Sequence, residues 1–125
     1  MDGNIVLLGA NGFVGENVAE VLRDNNMSFI TASRSSGVDL RDTTQTMDFL
    51  SLHKPVFVIN CAAHVGSLNY VTEQAADVIV DNTRMILGMY ESVAKVCPKA
   101  VIINPIANCA YPAKADTFIE DQWWD

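Results

Sequence analysis

The sequence predicts an α/β domain in which a doubly wound parallel sheet carries helices on both faces, and three observations lead there. The apolar runs at residues 5–8 and 56–59 are short and uninterrupted, as in strands buried on both sides. Between such runs the apolar residues recur at three and four, the period of an amphipathic helix. Directly after the first run stand Gly9, Gly12 and Gly15, so a glycine-rich turn joins the first strand to the first helix.

The elements follow in order. Residues 5–8 are the first strand, closed by Gly9. Phe13, Val14, Val18, Val21 and Leu22, with Ala19 among them, make one apolar helical face that runs out near residues 24–26. Residues 28–32 are a second strand and residues 37–39 a short third. Asp42 or Thr43 caps a helix carrying Met47, Phe49, Leu50 and Leu52, which ends before Pro55. Residues 56–59 form the clearest strand, a long helix covers about residues 75–95, and residues 100–103 are a last apolar strand. No helix or strand is predicted beyond Ile103, and no repeat or linker divides the chain. Its 125 residues suffice for one domain and not for two. The adjacent Trp123 and Trp124 near the end are a poor surface for a lone monomer, which points to a longer chain or a covering partner. Indoles packed back on the sheet are the other reading.

Composition excludes several functions. Half the residues are hydrophobic and 18% are charged, too apolar for a disordered chain. Eight Lys and Arg against fifteen Asp and Glu leave a net charge of −7, so no duplex nucleic acid is expected as a partner. A small phosphorylated ligand remains compatible, because a helix N-terminus can hold an anion with few basic side chains. Cys61, Cys97 and Cys109 form no close pair and are odd in number, which fits a reduced, cytoplasmic setting. No leader-like segment or membrane-length apolar run occurs, so no membrane association is expected, and no metal site either.

The glycine turn carries the chemistry. In a strand–turn–helix setting the first glycine permits the tight turn, the second lets backbone approach a pyrophosphate, and the third lets the helix pack on the sheet. Asn11, Phe13 and Val14 fill the positions between these glycines and belong to the same candidate site. Ala62, Ala63 and Gly66 follow the clearest strand. Such small side chains leave room for a flat ligand or, equally, for a close helix–strand contact. His64 lies in that loop, where a hydrogen-bonding role is commoner than a catalytic one. Asn82 shares a helical face with Val78, Met85 and Met89, and an amide in such company must find partners.

The spacing Gly-x-x-Gly-x-x-Gly, together with residues 38–42 (VDLRD), 60–66 (NCAAHVG), 81–83 (DNT) and 108–112 (NCAYP), resembles the extended branch of the short-chain dehydrogenase/reductase superfamily. These are NAD(P)-dependent sugar-nucleotide epimerases, dehydratases and reductases, and within them the chain is most similar to the GDP-L-fucose synthase group. The resemblance implies a Rossmann-type dinucleotide site, with Asp39 and Leu40 at the adenine edge and Asn82 supporting backbone at a strand end. It also implies a nucleotide-sugar substrate and leaves a homo-oligomer open. At the end of the second strand, where an acid would accept the ribose hydroxyls of NAD, the sequence has Ser33, Arg34 and Ser35. A guanidinium beside two hydroxyls suits a 2′-phosphate. NADP is therefore the expected cofactor and NAD the alternative.

Catalysis in the resembled family uses a Ser or Thr and a Tyr-x-x-x-Lys pair. No Tyr-x-x-x-Lys occurs within the 125 residues, and Tyr111 and Lys114 are one position too close. The hydroxyl position falls on Ala107, followed by Asn108. Cys109 matches a thiol that, in fucose synthases, works with a later histidine. Asn108 and Cys109 are thus the candidate catalytic residues. Residues 1–125 are expected to be one NAD(P)-binding domain stopping before the Tyr–Lys helix, the alternative being a non-catalytic nucleotide-binding or protein-interaction domain of the same fold. Enzyme activity is left open.

Overall fold

A computed structural model describes residues 4–107, 110–112, 114 and 116–122. Four strands, β1 (Ile5–Leu8), β2 (Phe29–Ala32), β3 (Phe57–Asn60) and β4 (Val101–Ile103), form one parallel sheet in the order β2-β1-β3-β4. β1 lies between β2 and β3, with Leu7 opposite Thr31 on one side and Ile59 on the other. All four residues of β1 are buried. That is why the run is apolar throughout instead of alternating with polar residues.

The pleat sends alternate side chains into two cores. Val6, Leu8, Ala32 and Val58 pack with Leu50 of α2 (Thr43–His53) and with Met89 and Val93 of the long helix. Ile5 and Leu7 pack on the other face against Ala19 and Leu22 of α1 (Phe13–Asp24). Leu50 is fully buried, and its truncation to alanine would cost about 2–5 kcal/mol. Asp42 caps α2 as expected, its carboxylate accepting the N–H of Thr44 at 2.8 Å and of Gln45 at 3.2 Å. Lys54, in the left-handed region at φ 44°, ends that helix.

Several expectations are corrected. Residues 37–39 are not a strand. A short 3-10 helix (Arg34–Ser36) stands before them, closed by a reciprocal Ser33–Ser36 cap, and Gly37 follows at φ 85°. These serine bonds compete with extended backbone. In α1 the predicted apolar face is turned: Phe13, Val14 and Val21 are exposed, whereas Gly15, Ala19 and Leu22 are buried and Val18 half-buried. Leu52 likewise points outward, while Thr46 is fully buried with its hydroxyl bonded to the Asp42 carbonyl. A helix the sequence reading left unassigned, α3 (Leu68–Glu73), is capped by the Ser67 hydroxyl and precedes α4 (Ala75–Val96). Beyond Ile103, Glu120–Gln122 form one further 3-10 turn. Strand bounds move by a residue, β2, β3 and β4 each starting one position later than predicted.

Both α2 and α4 cover the same sheet face. On the α1 face the cover thins toward β4, where Val101 and Ile103 remain about half exposed at 52% and 48%. Among the described residues no helix is long and apolar enough to cross a membrane.

Candidate functional site

From β1 the chain crosses to β2 on one side and returns to β3 on the other. At this reversal the loops after the two central strands diverge, leaving a crevice at their carboxyl ends. A cavity of about 810 Å³ lies there, lined by Gly9, Asn11, Gly12, Ser33–Ser35, Val38–Arg41, Cys61–Val65, Tyr70, Asp81 and Met85.

The three glycines of the turn do different work. Gly9 has φ 73°, and a Cβ there would lie 2.5 Å from the Ala62 backbone. Its N–H donates to the Ala32 carbonyl at 3.0 Å, tying the turn to β2. A Cβ on Gly15 would collide with the Gly9 carbonyl, so its absence lets α1 sit against the turn. Gly12 is the N-cap of α1 and would meet only the Gly9 oxygen, at 3.5 Å. It borders the cavity with open space in front of it. α1 thus begins beside this space, and a helix N-terminus can face an anion. Of the other residues predicted for the turn, Asn11 lines the cavity, while the Phe13 and Val14 side chains lie outside its lining and in solvent.

Opposite the turn, the Asn11 amide donates to Ser35 Oγ at 2.5 Å and to Ser33 Oγ at 3.2 Å. Arg34, between those serines, is exposed at the cavity edge and forms no ion pair among the described residues. Asp39 and Leu40 also line the cavity. Arg41 grips Asp39, Nη2 to Oδ2 at 2.6 Å and Nε to Oδ1 at 3.0 Å. That side-chain hydrogen bond is the main reason the Asp39 carboxyl is drawn down to about 2. The remaining guanidinium nitrogen reaches Asp81 Oδ2 on α4 at 3.3 Å.

At the end of β3, the buried Asn60 accepts the Ala62 N–H at 3.1 Å and donates to Asn104 at 2.7 Å. Ala62 and Ala63 then line the cavity without filling it. Asn82 does not line it. Its amide takes the His64 N–H at 2.8 Å and donates to the His64 carbonyl at 2.9 Å, fixing that residue's backbone from both sides. The imidazole so placed lies 3.0 Å from Asp81 Oδ2 through Nδ1 and 2.8 Å from the Tyr70 hydroxyl through Nε2. Cys61, half-buried at the same strand end, has its thiol pushed up by burial.

Arg41, Tyr70 and Asp81 were missed by sequence reasoning. Arg41 and Asp81 stand within the segments singled out above, and Ser67, as a cap ahead of Tyr70, was a local signal for α3. Asn108 and Cys109 lie outside the described residues. Among the described residues no group of His, Cys, Asp and Glu could hold a metal ion.

The family model "NAD dependent epimerase/dehydratase family" matches residues 5–123. The GDP-L-colitose synthase of Yersinia pseudotuberculosis is 30% identical over 113 residues, covering 90% of this chain and 36% of that protein. The solved structure of a GDP-L-fucose synthetase from Naegleria fowleri bound to NADP superposes with a TM-score of 0.76 at 21% identity, over 98% of this chain and 36% of that one. The GDP-mannoheptose C4 reductase of Campylobacter jejuni with NADP bound gives a TM-score of 0.82 at 19% identity, over 97% of this chain and 38% of that one. The chain thus spans about a third of the length of the curated relatives it matches.

Proposed function

Since the chain belongs to the NAD dependent epimerase/dehydratase family, we propose that its cavity binds NADP(H) and serves a sugar-nucleotide epimerase, dehydratase or reductase whose substrate is a GDP-linked keto sugar. The observation that carries the reading is the Arg34 guanidinium between Ser33 and Ser35, tied by Asn11 to the glycine turn. A pyrophosphate at Gly12 and the start of α1 leaves the adenosine ribose toward the end of β2. There a guanidinium and hydroxyls favour a 2′-phosphate, whereas an acid would repel it. Asp39 and Leu40 border the same end of the cavity. NAD is the alternative cofactor, and the relatives that hold NADP support the first choice. Residues 1–125 act in this reading as one nucleotide-binding domain, with Asn108 and Cys109 as its candidates for contact with the sugar.

Calorimetry with NADP and NAD tests the cofactor. Tighter binding of NADP is expected, and equal or stronger binding of NAD would overturn the assignment. A second reading, nucleotide binding without turnover, is favoured by the absence of Tyr-x-x-x-Lys from the 125 residues. Incubation with NADPH and GDP-4-keto-6-deoxymannose, followed by nicotinamide absorbance, separates the two. Substrate-dependent oxidation above a heat-denatured control would exclude the second.

A further inference from the structure

We infer that Arg41 is a positioning residue for this cavity. Its guanidinium ties the loop after β2 to α4 and, through Asp81, to the loop after β3, so that the two walls of the crevice keep one spacing. The ligand that benefits rests on the reading above; the tie itself stands on geometry.

Backbone does not hold these walls together. At the carboxyl end of β1 the last links to its neighbours are the Gly9 N–H to the Ala32 carbonyl at 3.0 Å and the Cys61 N–H to the Leu8 carbonyl at 2.9 Å. Beyond them the chain leaves the sheet on both sides, and side chains span the gap. Arg41 Nε and Nη2 fork onto Asp39 in its own loop, and Nη1 reaches Asp81 Oδ2 at 3.3 Å. The same Asp81 oxygen lies 3.0 Å from His64 Nδ1, and Asn82, next along α4, fixes the His64 backbone. One carboxylate oxygen thus meets a side chain from each wall. Among the described residues the one ion pair outside this group, Lys95–Glu91, lies within α4. Asp39, Arg41, His64 and Asp81 all line the cavity, and only 21% of the Asp81 side chain is in solvent, so salt screens the tie less than an open surface pair.

The residue type matters. A planar guanidinium holds two carboxylates at once at a set angle, whereas an ammonium is a point charge on a flexible stem. An arginine placed to attract an anionic ligand would keep its donors free, but here all three nitrogens are bonded to carboxylates. Its work is therefore on the protein. Walls already held need no ordering when a ligand arrives, and that saving appears as affinity for a ligand long enough to touch both. NADP is such a ligand, with its adenosine at the β2 end and its nicotinamide toward Ala62 and Ala63 after β3, whereas adenosine 2′,5′-bisphosphate reaches only the first wall.

Calorimetry of the whole chain with those two ligands is the test. In Arg41→Gln and in Asp81→Ala, NADP affinity should fall about fivefold more than that of the bisphosphate, the worth of one partly exposed charge-assisted hydrogen bond. The ratio cancels any loss that both ligands share, such as a displaced Asp39. The double variant should shift the ratio no further than either single one, because both cut the same tie. Arg41→Lys should keep most of the shift, since lysine restores the charge and not the fork. Hydrogen exchange without ligand gives a second readout. In each single variant the Asp39 N–H, bonded to Gln45, and the His64 N–H, bonded to Asn82, should exchange about fivefold faster while α1 exchanges as before. A ratio within about twofold of the parent's in a folded single variant, a double variant in which the two shifts multiply, full recovery with lysine, or faster exchange on one wall alone would overturn the tie. So would loss of the fold in both single variants, because Arg41 and Asp81 would then be parts of the core. Exchange as expected in a chain that binds neither ligand would sink the cofactor reading alone, and NADP binding with an unchanged ratio would sink the tie alone.

Discussion

Replacing Gly12 by valine should leave the fold standing while closing the cavity to its ligand, and the neighbouring glycines give the contrast that makes the experiment decisive. At Gly9 an added Cβ adopts φ 73° and lies 2.5 Å from Ala62 backbone atoms. The left-handed conformation costs about 1–2 kcal/mol and the overpacking about 1–3 kcal/mol, together roughly 3 kcal/mol. For a domain of this size each kcal/mol lowers Tm by about 4 °C, so Gly9→Ala should melt about 10 °C lower. Gly12 has φ −88° and meets only one oxygen at a van der Waals distance. Gly12→Val should therefore melt within about 2 °C of the parent, as surface changes do. Its branched side chain nevertheless occupies the space in front of the first helical N–H groups. Two charge-assisted hydrogen bonds lost there amount to roughly 3 kcal/mol, on the order of a hundredfold in NADP affinity. Thermal melts and calorimetry on the two variants read both quantities. Affinity within about threefold of the parent for a folded Gly12→Val would refute the anion position, and a Tm as low as that of Gly9→Ala would refute the open space.

Three further outcomes are expected. Arg34→Ala should weaken NADP about tenfold or more and NAD hardly at all, measured by calorimetry, since only NADP presents a 2′-phosphate to the guanidinium. Asp39, drawn down from 3.8 to about 2 by the Arg41 side chain, stabilises the fold above pH 4, and that contribution disappears as pH falls toward 2. With about a third of its side chain in solvent, the contribution is discounted to about 1 kcal/mol, and Asp39→Asn should flatten that stretch of an acid titration followed by urea melts. Asp42→Ala removes the two backbone bonds that start α2 and should lower the midpoint of denaturant unfolding.

β1 was legible because it is buried on both sides, so it reads as an apolar run between punctuating residues, and the other strands are short apolar runs as well. Residues 37–39 carry the same surface signs, yet the Ser33–Ser36 bonds and Gly37 make a turn there, and side-chain-to-backbone competition leaves no periodicity to read. In α1 the spacing of three and four fits two faces at once. Hydrophobicity favours the one with Phe13, Val14 and Val21, but Gly15 lets the helix approach the turn and brings Ala19 and Leu22 inward. Size decided against greasiness. In the site, the glycine turn was legible because its work is local. Arg41 and Asp81 are 40 positions apart, and His64 and Asp81 are 17 apart, so only the folded sheet end brings them together.

The central place of β1 has a consequence for how the chain is made. Its four residues leave the ribosome before their partners, which follow at residues 29–32 and then 57–60. Until β3 arrives, one edge of the most apolar strand stays open, a template on which another nascent chain can pair. Loop closure must be achieved across both α1 and α2 before that edge is sealed, and such long-range pairing is slow. Synthesis speed between β1 and β3 would therefore bear on the yield of correctly folded chain.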